Sequence, residues 1–288
     1  MSRSRPARPS NIPSRGRGGS RGGLTLLEVA VAASLTALLA SSLAAMTLAT
    51  RAADDRLARI ATAQTESVVA CDRIRSSISR AGVYQNTGEP TTLGVQQLTQ
   101  SGYYISWASM LICWTGGREG DLSSDPVRNG LPVASEVLVY ADPLDGSGQF
   151  CEIAFPGDAT PIDFRTITAS QIRTLIDGPT AEIAPLCESL VRYDEASPDF
   201  GSGTTLTPRT AVFFDLRYTP ATPRITAATT ATAWSELPWL YGQHDATSGL
   251  RNCQIDIELQ FAGLGSATDQ STTWPMFDSF SRTFRYEK

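Results

Sequence analysis

An uncharged stretch near the N-terminus constrains this chain most. It reads VAVAASLTALLASSLAAMTLAT and runs from Val29 to Thr50. As a helix these 22 residues extend roughly 33 Å, enough for a hydrocarbon core of about 30 Å. Residues 1–23 hold six arginines and no acid, and the basic side of a span stays cytoplasmic. The pattern predicts a single inner-membrane span at about 29–50, with residues 51–288 exported to the periplasm or the cell surface.

A cleavable secretory signal peptide is the alternative reading of this region. Its apolar part normally covers only about 7–15 residues and ends at a small-residue cleavage site. The pairs Ala44-Ala45 or the single Ala49 resemble such a site, so length alone leaves the alternative open. The discriminating residue is Glu28, because a carboxylate at the start of a membrane helix is costly and needs a reason.

The residues around Glu28 supply that reason. Residues 22–29 read GGLTLLEV, and this junction closely resembles the class III signal of type IV prepilins. The resemblance implies that prepilin peptidase cuts between Gly23 and Leu24 and methylates the new amine of Leu24. Glu28 would then be the fifth mature residue and would set filament register by pairing with the N-terminal amine of a neighbouring pilin or pseudopilin subunit.

The length of the chain narrows the resemblance to the larger members of this family. Removing residues 1–23 from the 288 leaves 265, which resembles the larger PilW-type minor pilins and the J-type pseudopilins of type II secretion. The run RIRSSISRAG, residues 73–82, also resembles the end of their first helix. The resemblance implies a structural subunit, assembled into a type IV pilus or a type II secretion pseudopilus near the tip. The sequence does not separate these two systems and does not identify a cargo.

Composition removes other classes of function. Without the six leader arginines, 18 basic residues face 29 acidic ones, so the remaining chain is clearly acidic and is not expected to bind nucleic acid. The only histidine is His244, so a His-rich metal or haem site is unavailable. In the window Ala141–Glu152, Asp145 and Glu152 fall at positions five and twelve of a calcium loop, but positions one and three, Ala141 and Pro143, have no side-chain oxygen. The Asp145-Gly146 pair instead predicts a hairpin turn. We expect no enzyme activity, no cofactor and no metal.

The expected fold class is α+β, with one long helix packed on an antiparallel β-sheet domain, as in type IV pilins. The predicted organisation is a leader at 1–23, a membrane or filament-core half-helix at 24–50, an amphipathic half-helix at 51–81 and an exported β-rich domain at 82–288. The helix is predicted over Leu24–Arg80 because no Gly or Pro interrupts it. Its expected buried stripe contains Leu57, Ile60, Val68, Cys71, Ile74 and Ile78.

Short elements follow Gly82. Strands are predicted at Tyr103–Thr115, Glu136–Tyr140, Phe150–Phe155, Thr210–Tyr218, Cys253–Phe261 and Ser281–Tyr286. Short helices are predicted at Ala169–Ile176 and Ala181–Tyr193, and a long loop is predicted at Thr219–Ala233. Trp234, Trp239 and Tyr241 form either an interaction surface or, by preference, part of the core.

Five cysteines remain to be explained. They are Cys71, Cys113, Cys151, Cys187 and Cys253, and no two of them form a CxxC motif. Export places them where disulfides persist, so structural bridges are expected among the last four, with Cys71 either a buried apolar residue or a further partner. A catalytic thiol is not expected, because only His244 could act as its base.

A second class of function stays open at this point. The chain can also be read as a single-pass anchored binding domain, or a cryptic hydrolase, that never polymerises. Cleavage at Gly23 distinguishes the two readings, because only the filament subunit requires it.

Overall fold

The structure is a computed structural model that describes residues 25–99, 109–122, 127–143, 148–188, 190, 211–240, 245, 247–261 and 274–288. Its helices and sheets occupy separate parts of the chain, so the fold is α+β, with a long apolar N-terminal helix and mainly antiparallel sheets. The chain forms two compact units, one ending at Asp54 and the other covering Asp55–Lys288.

Helix α1 covers Leu26–Arg80 and so agrees with the predicted helix except at its first residues, of which Leu24 lies outside the described part. It ends where the chain reaches Gly82. A Cβ at Gly82 would lie 2.8 Å from the ring of Trp114 and 2.9 Å from Leu122. Only glycine therefore lets the chain leave α1 so close to the Trp114 ring.

The buried side of α1 differs from the predicted stripe. The second half of the helix buries a set dominated by small residues: Ala63, Ser67, Ala70, Cys71, Ile74, Ser77 and Ile78. Leu57 and Val68, which were expected in the stripe, are 63% and 56% exposed. Cys71, Ile74 and Ile78 are buried as predicted. The prediction was wrong at Leu57 and Val68 because it weighted large apolar residues, whereas alanine and serine allow the helix backbone to approach its neighbours closely.

Eleven strands follow within the described residues. Their bounds are β1 Val83–Gln85, β2 Thr92–Leu93, β3 Val95–Leu98, β4 Met110–Trp114, β5 Arg128–Asn129, β6 Val137–Ala141, β7 Phe150–Ala154, β8 Glu182–Cys187, β9 Val212–Thr219, β10 Ser248–Phe261 and β11 Trp274–Glu287. The strands β4, β6, β7, β9, β10 and β11 overlap the predicted ones. Strands β1 and β5 form the one parallel pair among the described residues.

Five strands build the central sheet in the order β3-β4-β6-β7-β8, with every neighbouring pair antiparallel. Strands β4, β6 and β7 are buried on both faces, so their sequences are continuous apolar runs. One face packs in the core that contains α1, and the other packs under helix α2, Ala169–Ile176.

The C-terminal strands form a second antiparallel sheet in the order β11-β10-β9. Burial alternates strictly along most of β10, as the sequence QIDIELQF predicts for a strand with one wet face. The inner face contributes Ile255, Phe280 and Phe284 to the core. The outer face carries polar residues, among them Gln254, Asp256 and Glu258.

Strands β3 and β9 bring the two sheets together, and the second half of α1 packs against both. The Tyr218 hydroxyl of β9 donates to the Val95 carbonyl of β3 at 3.1 Å. On α1, the Ser77 hydroxyl lies 2.6 Å from the Tyr140 hydroxyl of the central sheet. Arg75 lies 3.0 Å from Asp278 of the C-terminal sheet. A single core thus joins α1 and the two sheets.

The short helices were predicted with mixed success. Helix α2 has the predicted bounds and starts with a Thr168–Gln171 capping box. The predicted helix Ala181–Tyr193 was wrong over its described part, where β8 is the edge strand of the central sheet and Ile183 pairs with Ile153. Pro185 is compatible with such an edge position and disfavours a helix interior.

The predicted loop Thr219–Ala233 was also wrong in part. It contains helix α3, Thr222–Ala227, which has a proline near its start, and most of helix α4, Ala231–Ser235. Trp234 and Trp239 are 2% and 6% exposed, which confirms the prediction that they belong to the core. Tyr241 lies outside the described residues.

Candidate functional site in the apolar segment of helix α1

Helix α1 begins with a reciprocal capping box between Thr25 and Glu28. The Glu28 carboxylate accepts from the Thr25 amide at 2.9 Å and from the Thr25 hydroxyl at 3.1 Å. In return the Glu28 amide donates to the Thr25 hydroxyl oxygen at 3.3 Å. This capping role of Glu28 was not predicted, although the spacing Thr-x-x-Glu before an apolar run is its signature. In the isolated chain, therefore, Glu28 is satisfied by its own helix end.

The segment after Glu28 is apolar and entirely exposed. Every described residue up to Arg59 is exposed, including leucine and methionine side chains. Leu39 and Met46, for example, are both 70% exposed. Exposed apolar patches on soluble monomers rarely exceed a few hundred Å² and mark interaction sites when they are larger. A surface of this kind needs lipid or other protein around it.

Hydroxyl groups within this segment are satisfied by the helix itself. Six of them donate to the carbonyl three or four residues earlier, at 2.7–2.9 Å: those of Ser34, Thr36, Ser41, Ser42, Thr47 and Thr50. In hydrocarbon an unpaired donor costs several kcal/mol, on the order of 2–7. Because these six hydroxyls already donate within the helix, the segment can lie in an apolar environment without leaving their donors unpaired.

Helix α1 is long and apolar enough to cross a membrane, with a mean hydropathy of 1.9 in its most apolar window. Glu28 is the only charged residue among positions 25–50. The site thus consists of one carboxylate at the start of an exposed apolar cylinder. The expected cleavage site, Gly23 and Leu24, lies outside the described residues.

Unit Asp55–Lys288 contains a buried polar network that fixes α1 to the central sheet. Glu152 is 3% exposed, accepts from the Tyr140 hydroxyl at 3.0 Å and lies 3.3 Å from Nε of Arg118. Arg80, at the end of α1, donates to the carbonyls of residues 118 and 120. Burial and the Glu152 charge raise the pKa of Tyr140. Tyr140 thus stays protonated and keeps donating to Glu152.

This network includes Glu152, the last residue of the window Ala141–Glu152, where the sequence favours a hairpin turn over a calcium loop. Its carboxylate lies against Arg118 and Tyr140. Strands β6 and β7 pair antiparallel on either side of the window, as the predicted hairpin requires. Its turn at Asp145-Gly146 lies outside the described residues.

The expected disulfide bridges are not formed. All five cysteines, including Cys71, are free and buried. Cys151 packs on one face of the central sheet, whereas Cys113 and Cys187 pack on the opposite face. The side chain of Cys151 is therefore separated from both by the sheet. The thiol of Cys253 lies against the Tyr218 hydroxyl. The sequence could not show this, because sheet register decides which face each cysteine occupies.

Burial also raises the pKa of all five thiols. It is the main cause that raises the pKa of Cys71 and Cys151 to about 11 and that of Cys253 to about 12. The pKa values of Cys113 and Cys187 are raised as well, again mainly by burial. Since the thiolate is the nucleophile, none of the five has the environment of a catalytic cysteine.

Other chemistry finds little support in the described part of the chain. No group of three or more His, Cys, Asp or Glu side chains there is arranged to hold a metal ion. His244 lies outside the described residues. The features that stand out are therefore the apolar segment of α1 and its single carboxylate.

Comparisons with known proteins identify no relative of this chain. No protein-family model, curated protein or solved structure matches this chain.

Proposed function

We propose that this chain is a structural, non-enzymatic subunit of a type IV pilus or a type II secretion pseudopilus. The observation that carries the proposal is the position of Glu28. It is the only charge in an exposed apolar helix segment, and it lies five residues beyond Gly23, the last residue of a basic leader. The capping box with Thr25 accounts for a carboxylate there in any helix. The prepilin resemblance also accounts for its spacing from Gly23 and for the basic leader before it.

In this proposal prepilin peptidase removes residues 1–23 and methylates Leu24. The apolar half of α1 then lies first in the inner membrane and later in a filament core. Alanines along the segment leave a thin helix that neighbouring helices approach closely: Ala30, Ala32, Ala33, Ala37, Ala40, Ala44 and Ala45. The unit Asp55–Lys288 is exported and provides contacts to other subunits.

The capping box suggests how Glu28 takes part in assembly. In the single chain its carboxylate accepts two hydrogen bonds from Thr25, so the charge has partners while the subunit waits in the membrane. On assembly it would exchange these partners for the amine of a neighbouring subunit. That pairing offsets the burial of both charges and fixes the axial register.

The architecture is compatible with this role. A long helix whose second half packs on antiparallel sheets, while its first half remains exposed, separates an assembling segment from a folded exported unit. No nucleic-acid interface is proposed, because the chain beyond the leader has an excess of acidic residues. Its partners are prepilin peptidase, the inner membrane and other pilins or pseudopilins.

Two substitutions test the proposal. Glu28→Ala removes both the cap acceptor and the charge, whereas Glu28→Gln keeps an oxygen that accepts from Thr25 and removes only the charge. Both variants should insert in the membrane, and both should fail to enter the filament fraction sheared from cells. Normal incorporation of Glu28→Gln would contradict the pairing role of the charge.

A block of the cleavage site separates filament subunit from simple anchor. Gly23→Leu should abolish maturation and incorporation if the chain is a pilin-like subunit. The single-pass binding domain or cryptic hydrolase would be unaffected by this substitution. Incorporation should be measured by immunoblotting of sheared filaments, or of the pseudopilus fraction, alongside the unsheared membrane.

A further inference from the structure

This protein binds two of its own arginines with the same device, a carboxylate beside an aromatic ring. Arg75 lies 3.0 Å from the Asp278 carboxylate, with its Cζ 4.9 Å from the ring centre of Phe280. Arg128 lies 2.6 Å from Glu136, with its Cζ 5.6 Å from the ring centre of Trp114. A guanidinium can pair with a carboxylate in its plane and stack on a ring with its face.

A third pair of this kind lies on the outer face of the C-terminal sheet, without an arginine. Phe277 and Glu258 are direct neighbours in the register of β11 and β10, and opposed side chains have Cβ atoms about 4.5–5.5 Å apart. Phe277 is 69% exposed, and the Glu258 carboxylate accepts from the Gln260 amide at 2.9 Å. Within the described ranges no basic side chain pairs with Glu258 or stacks on Phe277.

We propose that Phe277 and Glu258 form a docking site for an arginine side chain of a different protein, one with a basic surface. The ring and the carboxylate are presented by two paired 14-residue strands, so they are held in place before binding. Little side-chain freedom therefore has to be lost on binding, and arginine is one of the residues enriched in interface hot spots.

Charge decides between a second copy and a different partner. Asp256 and Asp215 are direct neighbours on β10 and β9 and lie on the same face, two residues along from Glu258. Within the described ranges Arg217 is their one cationic partner. The chain beyond residue 23 carries 29 acidic against 18 basic residues. A second copy would bring the same excess of negative charge and be repelled, whereas a basic surface is attracted.

The location leaves the site accessible. Phe277 and Glu258 lie on the face of the sheet opposite to the side chains that pack in the core with α1. A partner therefore does not compete with α1 for the same surface. The docking site goes beyond the proposed filament role and holds whether or not the chain polymerises.

Site-specific photo-cross-linking in the native host tests the proposal on the full chain. Pro275→p-benzoylphenylalanine places the cross-linker on the same face, two residues from Phe277, and leaves both docking residues unchanged. Irradiation should produce one major adduct, and mass spectrometry of the joined peptide should find an exposed arginine in the basic surface of a second protein. An adduct with a second copy or with lipid, or no adduct, would overturn the proposal.

Two variants and a control make this result specific. In the cross-linker background, Glu258→Gln and Phe277→Ala should each lower the adduct yield about tenfold, because each removes one half of the arginine site. Ser281→Ala, also exposed on this face, should leave the yield unchanged. An adduct that persists in both variants would contradict the arginine site. Maturation at Leu24 should be unchanged in all three, so failure of this site is distinct from failure of the filament proposal.

Discussion

The two halves of helix α1 share a backbone and differ in what surrounds them. Residues 26–54 expose every side chain, including many leucines, whereas residues 55–80 bury seven side chains against two sheets. Neither half contains glycine or proline, so both are helical for local reasons. The difference teaches that the second half finds its partners within the chain, while the first half has an exposed apolar surface that lipid or another protein can cover.

The largest expected effect concerns the second half. Ile74 is fully buried between α1 and the sheets, so Ile74→Ala should destabilise the unit Asp55–Lys288 by about 2–5 kcal/mol. Urea unfolding followed by tryptophan fluorescence in detergent measures the change. Leu43→Ala, at an exposed position of the first half, is the control and should leave the midpoint unchanged. Equal effects of the two substitutions would remove the distinction between the halves.

A charge at the centre of the first half should have the next largest effect. Leu39→Arg should cost about 2.5–3.5 kcal/mol of membrane insertion, because an arginine there enters the hydrocarbon core. The fraction resistant to carbonate extraction is the readout. Leu57→Arg is matched to it, since Leu57 is also exposed but lies in the second half. If Leu39→Arg remained fully membrane-bound, the span would be misassigned.

Thiol reactivity distinguishes the two faces of the second half. With its pKa raised to about 11, Cys71 should react with a maleimide about 100-fold more slowly at neutral pH than an ordinary exposed thiol. Val68→Cys, on the exposed face of the same helix, supplies that reference in one protein. Labelling followed by peptide mass analysis compares the two sites. Rapid labelling of Cys71 would show that the sheets do not cover this face.

The hydroxyl network gives a smaller effect. Tyr140→Phe removes the donor to buried Glu152 and the contact with Ser77, so stability should fall by about 1.5–3 kcal/mol. Ser34→Ala removes a hydroxyl of the first half that donates to a carbonyl of its own helix, and it should leave the stability of the unit Asp55–Lys288 unchanged. Unfolding curves of both variants measure these changes. An unchanged curve for Tyr140→Phe would contradict the proposal that the buried polar network fixes α1 to the central sheet.

The capping box should produce the smallest change. Thr25→Ala removes one cap, which is worth about 1 kcal/mol of local helix stability. Amide hydrogen exchange of the first turn in micelles should therefore accelerate about fivefold, while the turn around Thr36 exchanges as before. Unchanged exchange in the first turn would mean that Glu28 is not held by Thr25.

Local patterns predicted much of the fold. The extent of α1, the bounds of α2 and the alternating part of β10 follow from periodicity, capping and the absence of helix breakers within a short window. The failures share a different cause. Strand β8 was wrongly predicted as a helix. Ile183 and its neighbours are extended because they pair with β7, and a local pattern does not show that pairing. The burial of the small residues on α1 likewise depends on how closely the sheets approach the helix.

The candidate sites divide in the same way. The role of Glu28 stays a prediction, and it could be made from the sequence because it rests on the few residues around Glu28. The juxtaposition of Phe277 and Glu258 could not be predicted in this way, because their neighbourhood depends on the register of two strands separated by a long connection. The free cysteines were mispredicted for the same reason, since their facing directions are set by sheet pairing.

The most direct measurement is intact-mass and N-terminal analysis of the membrane-extracted protein, produced together with prepilin peptidase. A filament subunit of the proposed type should begin at Leu24 and carry one added methyl group. A retained Met1, or a cut after the apolar stretch, would contradict prepilin processing and leave an anchored or secreted domain in its place.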